Sequence, residues 1–293
     1  MNAPAISPSS SSLIRREEAR ATGRRRPPQP KDRERERQGE PFKRLRTERR
    51  PHARALLRIC GLAAVSALFE RDPGRALRLF FEPGLKSELA RCCAILAGAK
   101  KPYREVGAEE LARIAGSPHH GGVVAVARPR PALVLEPEGL SSWGSSEKPI
   151  LVLDRIGNAQ NLGAIARSAA FFGVDRMIFA DSPEQAMPSD TSYRVAEGGL
   201  EYLALYRASL PELLPALRLR YRLIGTACER GSPPRSSHGG KPAALILGNE
   251  EEGVDPKLLA LCDEVVMIAG AGRIQSLNAA AAAAVLLYVL SRR

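Results

Sequence analysis

Short apolar runs alternate with helix-forming segments from Pro149 to the end of the chain. The first run, from Ile150 to Leu153, consists of aliphatic residues without a polar interruption. Such runs are typical of strands that are buried on both faces of a sheet. Strands that are separated by helices favour a parallel sheet with helices on both sides. The sequence therefore predicts an α/β domain over residues 149–293.

The remaining elements are predicted from the same periodicities. In the 149–293 domain, strands are predicted at 149–153, 176–180, 203–206, 222–226, 243–247 and 264–268, and helices at 164–172, 193–198, 210–219, from 256 onward, and at 276–290. A smaller α/β module is predicted over residues 51–131, with helices at 53–70, 86–99 and 109–114 and strands at 76–81, 103–106 and 123–127. Residues 132–148 are rich in Pro, Gly and Ser. That composition predicts a linker between the two domains.

The first 50 residues carry most of the excess positive charge. They contain 15 Lys/Arg and 7 Asp/Glu, a net charge of +8 out of +12 for the whole chain. They hold too few apolar residues to offset chain entropy, so we expect residues 1–50 to form a disordered basic tail. Such a tail either attracts RNA through its charge or only solubilises the protein. A transit peptide is disfavoured because transit peptides contain few acidic residues.

The cysteines and the apolar runs indicate a cytoplasmic protein without a metal site. The five cysteines include no Cys-x-x-Cys pair and have no histidine at ligand spacing, which favours reduced thiols. The longest apolar run, residues 279–290, is shorter than the ~20 residues that cross a bilayer and predicts a buried helix. No apolar signal core is present near the start of the chain. We therefore expect a protein that binds neither a metal nor a membrane.

Three polar motifs lie where apolar runs meet helices, at residues 161–167 (NLGAIAR), 248–253 (GNEEEG) and 275–278 (QSLN). In α/β proteins such junctions present loops and helix N-termini to ligands. Gly248 and Gly253 allow a ligand to approach the main chain closely. A second interpretation makes Asn161, Ser276 and Asn278 helix caps. The lack of a Gly-x-Gly-x-x-Gly motif argues against a nicotinamide-binding Rossmann domain.

The order and content of these motifs resemble those of the SpoU/TrmH-type RNA ribose 2′-O-methyltransferases, within the SPOUT superfamily. The resemblance covers residues 52–293, and the long basic N-terminus is similar to that of the YfiF-like branch. It implies a catalytic domain with a C-terminal trefoil knot, an exception to the rule against threading. It also implies a small RNA-binding domain before the catalytic domain, S-adenosylmethionine as the cofactor, and a homodimer whose subunits complete the active sites.

The resemblance also implies roles for individual residues. It gives as cofactor-binding residues Leu247, Gly248, Gly253, Ile268 and Leu277, and as catalytic residues Asn161, Arg167, Glu250, Ser276 and Asn278. Arg167 is interpreted either as a general base or as an anchor for phosphate and oxyanion. A guanidinium keeps its proton up to about pH 12, which favours the anchor. Glu250 is expected either to hold Arg167 or to orient the ribose.

We therefore expect S-adenosylmethionine-dependent methyl transfer to a ribose 2′-hydroxyl of structured tRNA or rRNA. The alternative is an RNA-binding or ribosome-assembly protein that keeps the same scaffold with weak or no catalytic activity. His119 and His120 precede two glycines, which favours a turn whose imidazoles cap backbone groups or contact RNA phosphate over a catalytic pair. The target nucleotide is not identified, because structured RNA is recognised largely by shape and by dispersed phosphate and 2′-hydroxyl contacts.

Overall fold

The computed structural model describes residues 56–143, 148–236 and 240–291, so the predicted basic tail over residues 1–50 lies outside the described residues. The first sheet contains β1 (Leu57–Cys60), β2 (Ala76–Phe81), β3 (Tyr103–Glu105) and β4 (Val123–Ala127), in the order β1-β4-β2-β3. Strand β4 is antiparallel to both β1 and β2, whereas β3 is parallel to β2. Three helices belong to this part of the chain, α1 (Leu62–Arg71), α2 (Ala90–Gly98) and α3 (Ala108–Ala115).

The helix predicted over residues 53–70 is wrong at its start. Residues 57–60 form β1, which pairs with β4 along its whole length, and the helix begins only at Leu62. The residue between strand and helix is Gly61, whose φ of 91° lies in a region that other residues rarely adopt. Pairing with a strand more than sixty residues away therefore overrides the local helical pattern.

Among the described residues, the second sheet has seven strands, and every strand pair in it is parallel. Its strands are β5 (Leu133–Val134), β6 (Ile150–Asp154), β7 (Arg176–Ala180), β8 (Ala204–Ala208), β9 (Arg222–Thr226), β10 (Ala243–Gly248) and β11 (Glu264–Val266), in the order β11-β9-β10-β6-β7-β8-β5. Its helices are α4 (Ala159–Phe171), α5 (Asp190–Ala196), α6 (Leu210–Leu217), α7 (Pro256–Leu259) and α8 (Ala279–Ser291). The predicted parallel α/β fold is confirmed, while the trefoil knot stays a prediction.

Alternate residues of β6 face two separate layers of the core, as the two-residue period of a strand requires. Leu151 and Leu153 pack with residues of α4 and α8, whereas Ile150 and Val152 pack with residues of α6 and α7. The helices therefore cover both faces of the sheet. Helix α8, from the longest apolar run, has 13 residues. Within the described ranges, no helix is long and apolar enough to cross a membrane.

Part of the segment predicted as a linker belongs to the second sheet. Leu133 and Val134 form the edge strand β5 beside β8. Farther along, the buried Trp143 ring lies 5.1 Å from the Tyr206 ring. The Arg176 guanidinium lies 4.7 Å above the centre of the Trp143 ring. Cation–π and aromatic contacts of this kind add to the energy of burial. The Pro- and Gly-rich composition therefore marks irregular backbone here, but Leu135, Leu140 and Trp143 of this segment are buried against the domain.

The two sheets meet through a buried cluster that we call the sheet joint, consisting of Arg75, Tyr193 and Glu201. The Arg75 guanidinium donates to both Glu201 carboxylate oxygens, at 2.9 and 2.7 Å, and to the Tyr193 hydroxyl at 3.2 Å. Its Nε donates to the Arg128 carbonyl at 2.9 Å. All three side chains of the joint are buried, and apolar residues from both sheets form one continuous cluster around it. Buried charges that are fully paired fix the relative position of the elements that carry them.

Candidate active site

The polar motifs meet at the point where the strand order of the second sheet reverses. From β6 the chain continues outward through β7 and β8, and it later returns so that β10 lies on the other side of β6. Asp154 and Gly248 are register partners at the carboxyl ends of these two central strands. In open parallel sheets, ligands bind in the crevice beyond the carboxyl ends at such a switch point. The topology alone therefore marks this edge of the sheet as the candidate site.

The loop after β10 is held by the side chain of Asn249. Its Oδ1 accepts hydrogen bonds from the amides of Glu251 and Glu252, at 2.8 and 3.1 Å, and its Nδ2 donates to the Arg155 carbonyl at 3.0 Å. The buried carboxylate of Asp154 accepts the Asp255 amide at 2.9 Å. These bonds fasten the loop to the end of β6, so that it keeps one shape beside the cleft.

Gly248 is required by a close approach of the same loop. A Cβ atom at this position would lie 2.1 Å from both the carbonyl carbon of Gly253 and the amide nitrogen of Val254. Main-chain atoms cannot yield to such an overlap as the end of a flexible side chain can. Gly253 has a φ of 73°, the left-handed conformation that glycine adopts without strain. The presence of glycine at both positions is thus explained by backbone sterics and does not depend on any ligand.

Arg155 is an ion-pair centre at the rim of this site. It has a φ of 58°, which is uncommon for a residue other than glycine. Its guanidinium pairs with Asp154 at 3.2 Å and also with Glu252. The hydrogen bonds that the guanidinium donates to Asp154 and then to Glu252 raise the pKa of Arg155 above its usual value. The arginine therefore stays charged and links the β6 end to the acidic loop.

The carboxamide of Asn161 joins the three motifs. Its Nδ2 donates to the Glu250 carboxylate at 2.6 Å, and its Oδ1 accepts from Nδ2 of Asn278 at 2.9 Å. Asn278 also caps α8, because its Oδ1 accepts the Ala280 amide at 2.9 Å. For Asn278 the two interpretations that the sequence left open are thus compatible, since its side chain both caps a helix and contacts another motif.

The structure contradicts one interpretation of Asn161 and one of the two roles expected of Glu250. Asn161 does not precede the helix but lies within its first turn, because α4 begins at Ala159 and Asn158 is the cap, accepting the amides of Gln160 and Asn161. Glu250 does not hold Arg167. The Arg167 guanidinium instead pairs with Glu197 at 2.8 Å, and more than half of each of these two side chains is exposed. Arg167 therefore lies outside the hydrogen-bonded group of Asn161, Glu250 and Asn278.

A cleft of about 730 Å³, including the space at its open mouth, lies beside this group. We call it the switch-point cleft. All five residues predicted to bind the cofactor line it, namely Leu247, Gly248, Gly253, Ile268 and Leu277. Glu250 and Ser276 of the predicted catalytic set line it as well.

The lining of the cleft suits a ligand that combines a flat apolar part with polar edges. Leu247, Val266 and Leu286 supply buried apolar walls. Ile268 and Leu277 also line the cleft, and within the described residues their main-chain N–H groups donate to no other group. Unpaired amides beside an apolar wall are available to the ring nitrogens of an adenine or to a carboxylate. The residues present therefore fit S-adenosylmethionine.

Asp154, Arg155 and Asn249 hold the site together although sequence reasoning did not select them. Asp154 had a usable signal, because it is a carboxylate at the end of an otherwise apolar strand, and Asn249 lies within the 248–253 motif. Within the described ranges, no group of three or more His, Cys, Asp and Glu side chains is placed to hold a metal ion.

A parallel α/β domain with a ligand cleft at its switch point, joined to a smaller α/β domain, defines the class of this protein. Residues 148–288 match the SpoU rRNA methylase family, and residues 58–132 match the RNA 2′-O ribose methyltransferase substrate-binding domain. The chain belongs to the SpoU family of RNA ribose 2′-O-methyltransferases, whose enzymes use S-adenosylmethionine.

Similar proteins support the assignment of the chain to this family. The chain is 31% identical over 249 residues to the 23S rRNA (guanosine-2′-O-)-methyltransferase RlmB of Yersinia pestis, covering 80% of this chain and 96% of that protein. It is 32% identical over 180 residues to an uncharacterised tRNA/rRNA methyltransferase of Haemophilus influenzae, covering 61% of this chain but only 50% of that protein. An rRNA methyltransferase of Sinorhizobium meliloti with bound AdoMet has the same fold, with a TM-score of 0.66, 22% identity and coverage of 80% of this chain and 85% of that one.

Proposed function

We propose that this protein transfers a methyl group from S-adenosylmethionine to a ribose 2′-hydroxyl of structured ribosomal or transfer RNA. The observation that carries the proposal is the Asn161 carboxamide, which bonds Glu250 and Asn278 at the mouth of the switch-point cleft. Three segments from distant parts of the chain thereby meet beside one cavity. Ribosomal RNA is the first substrate to test, because the RlmB relative that the chain covers almost completely acts on 23S rRNA.

The chain has to align two reactants rather than supply a reactive group of its own. S-adenosylmethionine supplies the electrophilic methyl group when it is bound. The apolar walls of the switch-point cleft and the amides of Ile268 and Leu277 hold the donor in one orientation. Glu250, oriented by Asn161, accepts a hydrogen bond from the ribose, and the Ser276 hydroxyl faces the same cleft. Holding two reactants in line lowers the barrier largely through entropy.

Arg167 anchors the RNA in this proposal. Its pair with Glu197 is exposed, and exposed ion pairs contribute only about 0–1 kcal/mol, so a phosphate group can replace the carboxylate. A bidentate contact to phosphate suits the planar guanidinium, which also stabilises the oxyanion as the hydroxyl releases its proton to solvent water. In this role Arg167 stays protonated throughout.

We also propose that two copies of the chain form a dimer through the ends of α4 and α8. Phe171 is 82% exposed, and its ring lies 5.2 Å from that of Phe172, which lies 6.2 Å from that of Tyr288. An exposed aromatic cluster of this kind is typical of protein interfaces. Arg167 lies one helical turn before Phe171 on the same face of α4, so the interface brings it toward the partner subunit.

The dimer is tested by sedimentation velocity of the purified protein. Phe171→Asp places a charge in the centre of the proposed interface and should produce monomers. Leu219→Asp is the matched control, because Leu219 is also highly exposed but lies after α6. A monomeric wild-type protein, or equal sedimentation of the two variants, would contradict the proposed interface.

The activity is tested by mapping ribose methylation across total RNA from cells with and without this gene. One lost 2′-O-methyl mark is expected, and the purified protein with S-adenosylmethionine should restore it. Arg167→Ala should lower the rate of methyl transfer about 10²–10³-fold while leaving the thermal unfolding midpoint unchanged. If calorimetry detects no binding of S-adenosylmethionine at millimolar concentration, the protein is an RNA-binding member of the family without this activity.

A further inference from the structure

A second cleft lies between the two sheets, at the start of α1, and we call it the α1 cleft. It encloses about 660 Å³ together with its open mouth. The first sheet and α1 contribute the segment from Cys60 to Ala64 and the His119–Gly121 turn, and α5 and the residue after it contribute Arg194 and Glu197. Because Glu197 is the partner of Arg167, this cleft opens beside the residue that anchors the RNA in the proposed function.

The floor of the α1 cleft is the N-terminus of a helix without a cap. Helix α1 has 10 residues, no side chain bonds its first amides, and its first turn holds no acidic residue. Within the described residues, the amides of Leu62, Ala63 and Ala64 have no acceptor. All three residues line the cleft. Unpaired amides and the positive end of the helix dipole together favour an anion at this place.

Side chains from both sheets add to the positive character of the α1 cleft. Arg194 is half-buried and lines the cleft, yet no ion pair or hydrogen bond to it occurs within the described residues. His120 is more than nine-tenths buried. Its Nδ1 accepts the Gly122 amide at 3.2 Å, which leaves its Nε2 as a donor without a partner among the described residues. A half-buried cation and an unpaired ring donor therefore make the cleft suited to an anionic ligand.

The shape of the α1 cleft is set by close packing. Gly198 has a φ of 93°, and a Cβ atom there would lie 2.8 Å from the Cβ of Ala67 and 3.1 Å from the carbonyl oxygen of Ala63. The segment that carries Glu197 is therefore pressed directly against α1. Burial raises the pKa of the Cys60 thiol to about 11, so the cleft wall contributes no thiolate at neutral pH. The acidic group that lines the cleft, Glu197, already pairs with Arg167.

We propose that the α1 cleft binds a backbone phosphate of the RNA substrate, next to the nucleotide whose phosphate contacts Arg167. The phosphate accepts hydrogen bonds from the first amides of α1, from Arg194 and from Nε2 of His120. The inference rests on the proposed function for the identity of the ligand. It adds a contact made jointly by the two sheets, so that RNA is held only when both are in their observed arrangement.

The test measures the affinity of the purified protein for a 23S rRNA transcript at several salt concentrations. Arg194→Ala should lower the affinity about tenfold and reduce the slope of log affinity against log salt by about one, because one phosphate contact is lost. Ala63→Glu should also lower it about tenfold through repulsion of the phosphate. This variant does not weaken the fold, since an acidic residue in a first helical turn stabilises the helix.

Two matched controls carry the same changes outside the cleft. Arg91→Ala removes an exposed arginine of α2, and Ala90→Glu adds a carboxylate to the first turn of α2. Both should bind the transcript within twofold of the wild type. All four variants should keep the wild-type affinity for S-adenosylmethionine in calorimetry. Equal losses in the cleft variants and their controls, or an unchanged salt slope for Arg194→Ala, would overturn the site.

Methyl transfer to the same transcript separates this inference from the proposed function. If the wild type transfers methyl groups and the cleft variants bind RNA normally, the phosphate site is wrong and the activity stands. If the wild type transfers none while only the cleft variants lose RNA affinity, the phosphate site stands and the activity is wrong.

Discussion

The sheet joint and the mouth of the switch-point cleft both bring together polar side chains from distant segments, but only the joint is buried. In the joint, Arg75 and Glu201 are nearly inaccessible to solvent, and every guanidinium nitrogen and carboxylate oxygen of the two side chains is hydrogen-bonded. At the cleft mouth, Asn161 and Glu250 bond each other in contact with solvent. Buried pairs are costly to break, whereas exposed ones exchange partners readily. The protein thus fixes its two sheets through a buried ion pair, whereas the polar contacts at the cleft mouth stay accessible to a ligand.

The largest effect is expected in the sheet joint. Arg75→Ala leaves the Glu201 carboxylate buried without its cation, and it should lower the free energy of unfolding by about 3–5 kcal/mol. Arg58→Ala is the control, because its pair with Asp190 also connects the two sheets but is exposed, so about 0–1 kcal/mol is expected. Chemical denaturation of both variants measures the difference. Equal losses would mean that burial does not distinguish the two ion pairs.

A smaller effect is expected at the switch-point cleft, on ligand binding. Gly248→Ala forces the loop at Gly253 and Val254 away from β10, and a displacement of about 1 Å at a positioned site can cost roughly 10²-fold. Calorimetry with S-adenosylmethionine should show that loss of affinity. Gly98→Ala is the control, since a Cβ there meets open space. Wild-type affinity in Gly248→Ala would show that the loop does not shape the cofactor site.

Asn161→Asp replaces one polar atom at the cleft mouth, the amide nitrogen of the side chain, by an oxygen. The new carboxylate still accepts from Asn278 but repels Glu250 instead of donating to it. The rate of methyl transfer should fall about 10–100-fold, corresponding to about 1.4–2.8 kcal/mol, because Glu250 loses its orientation. The unfolding free energy should change by less than about 1 kcal/mol, since the pair is exposed. A change in stability larger than the change in rate would indicate a structural role.

The smallest effect concerns the cysteines, all of which are free thiols. Burial, followed by the nearby Asp263 carboxylate, raises the pKa of Cys262 to about 11, and burial likewise raises that of Cys60 to about 11. At pH 8 each is therefore about one part in a thousand thiolate, and reactivity should increase only as the pH approaches 11. Cys228 is exposed and lines the switch-point cleft.

Iodoacetamide at pH 8 should therefore modify Cys228 first, and saturating S-adenosylmethionine should slow that reaction about tenfold by covering the thiol. Mass spectrometry of the labelled peptides measures both rates. Labelling of Cys60 before Cys228 would contradict the order, and labelling of Cys228 that the cofactor leaves unchanged would place the cofactor elsewhere.

Several strands were predictable because their apolar runs are long enough to be recognised locally. The strands at 76–81, 123–127, 176–180 and 222–226 have the predicted bounds. The start of α4 was not predictable from the sequence, because both Asn158 and Asn161 are suitable caps and only the folded backbone selects Asn158. Holding Arg167 was one of the two roles expected of Glu250, yet tertiary packing places Glu197 next to Arg167.

Local sequence patterns were enough to predict the alternation of buried strands with helices, and with it the parallel sheet and the edge that carries the candidate site. These follow from local apolar periodicity, which each segment carries independently. Only the tertiary structure decided which polar groups meet. The Asn161 contacts with Glu250 and Asn278, the fastening of the loop by Asp154 and Asn249, and the burial of Arg75 against Glu201 all join residues far apart in the chain. Such contacts depend on strand order and on distances of a few ångströms, which no local pattern encodes.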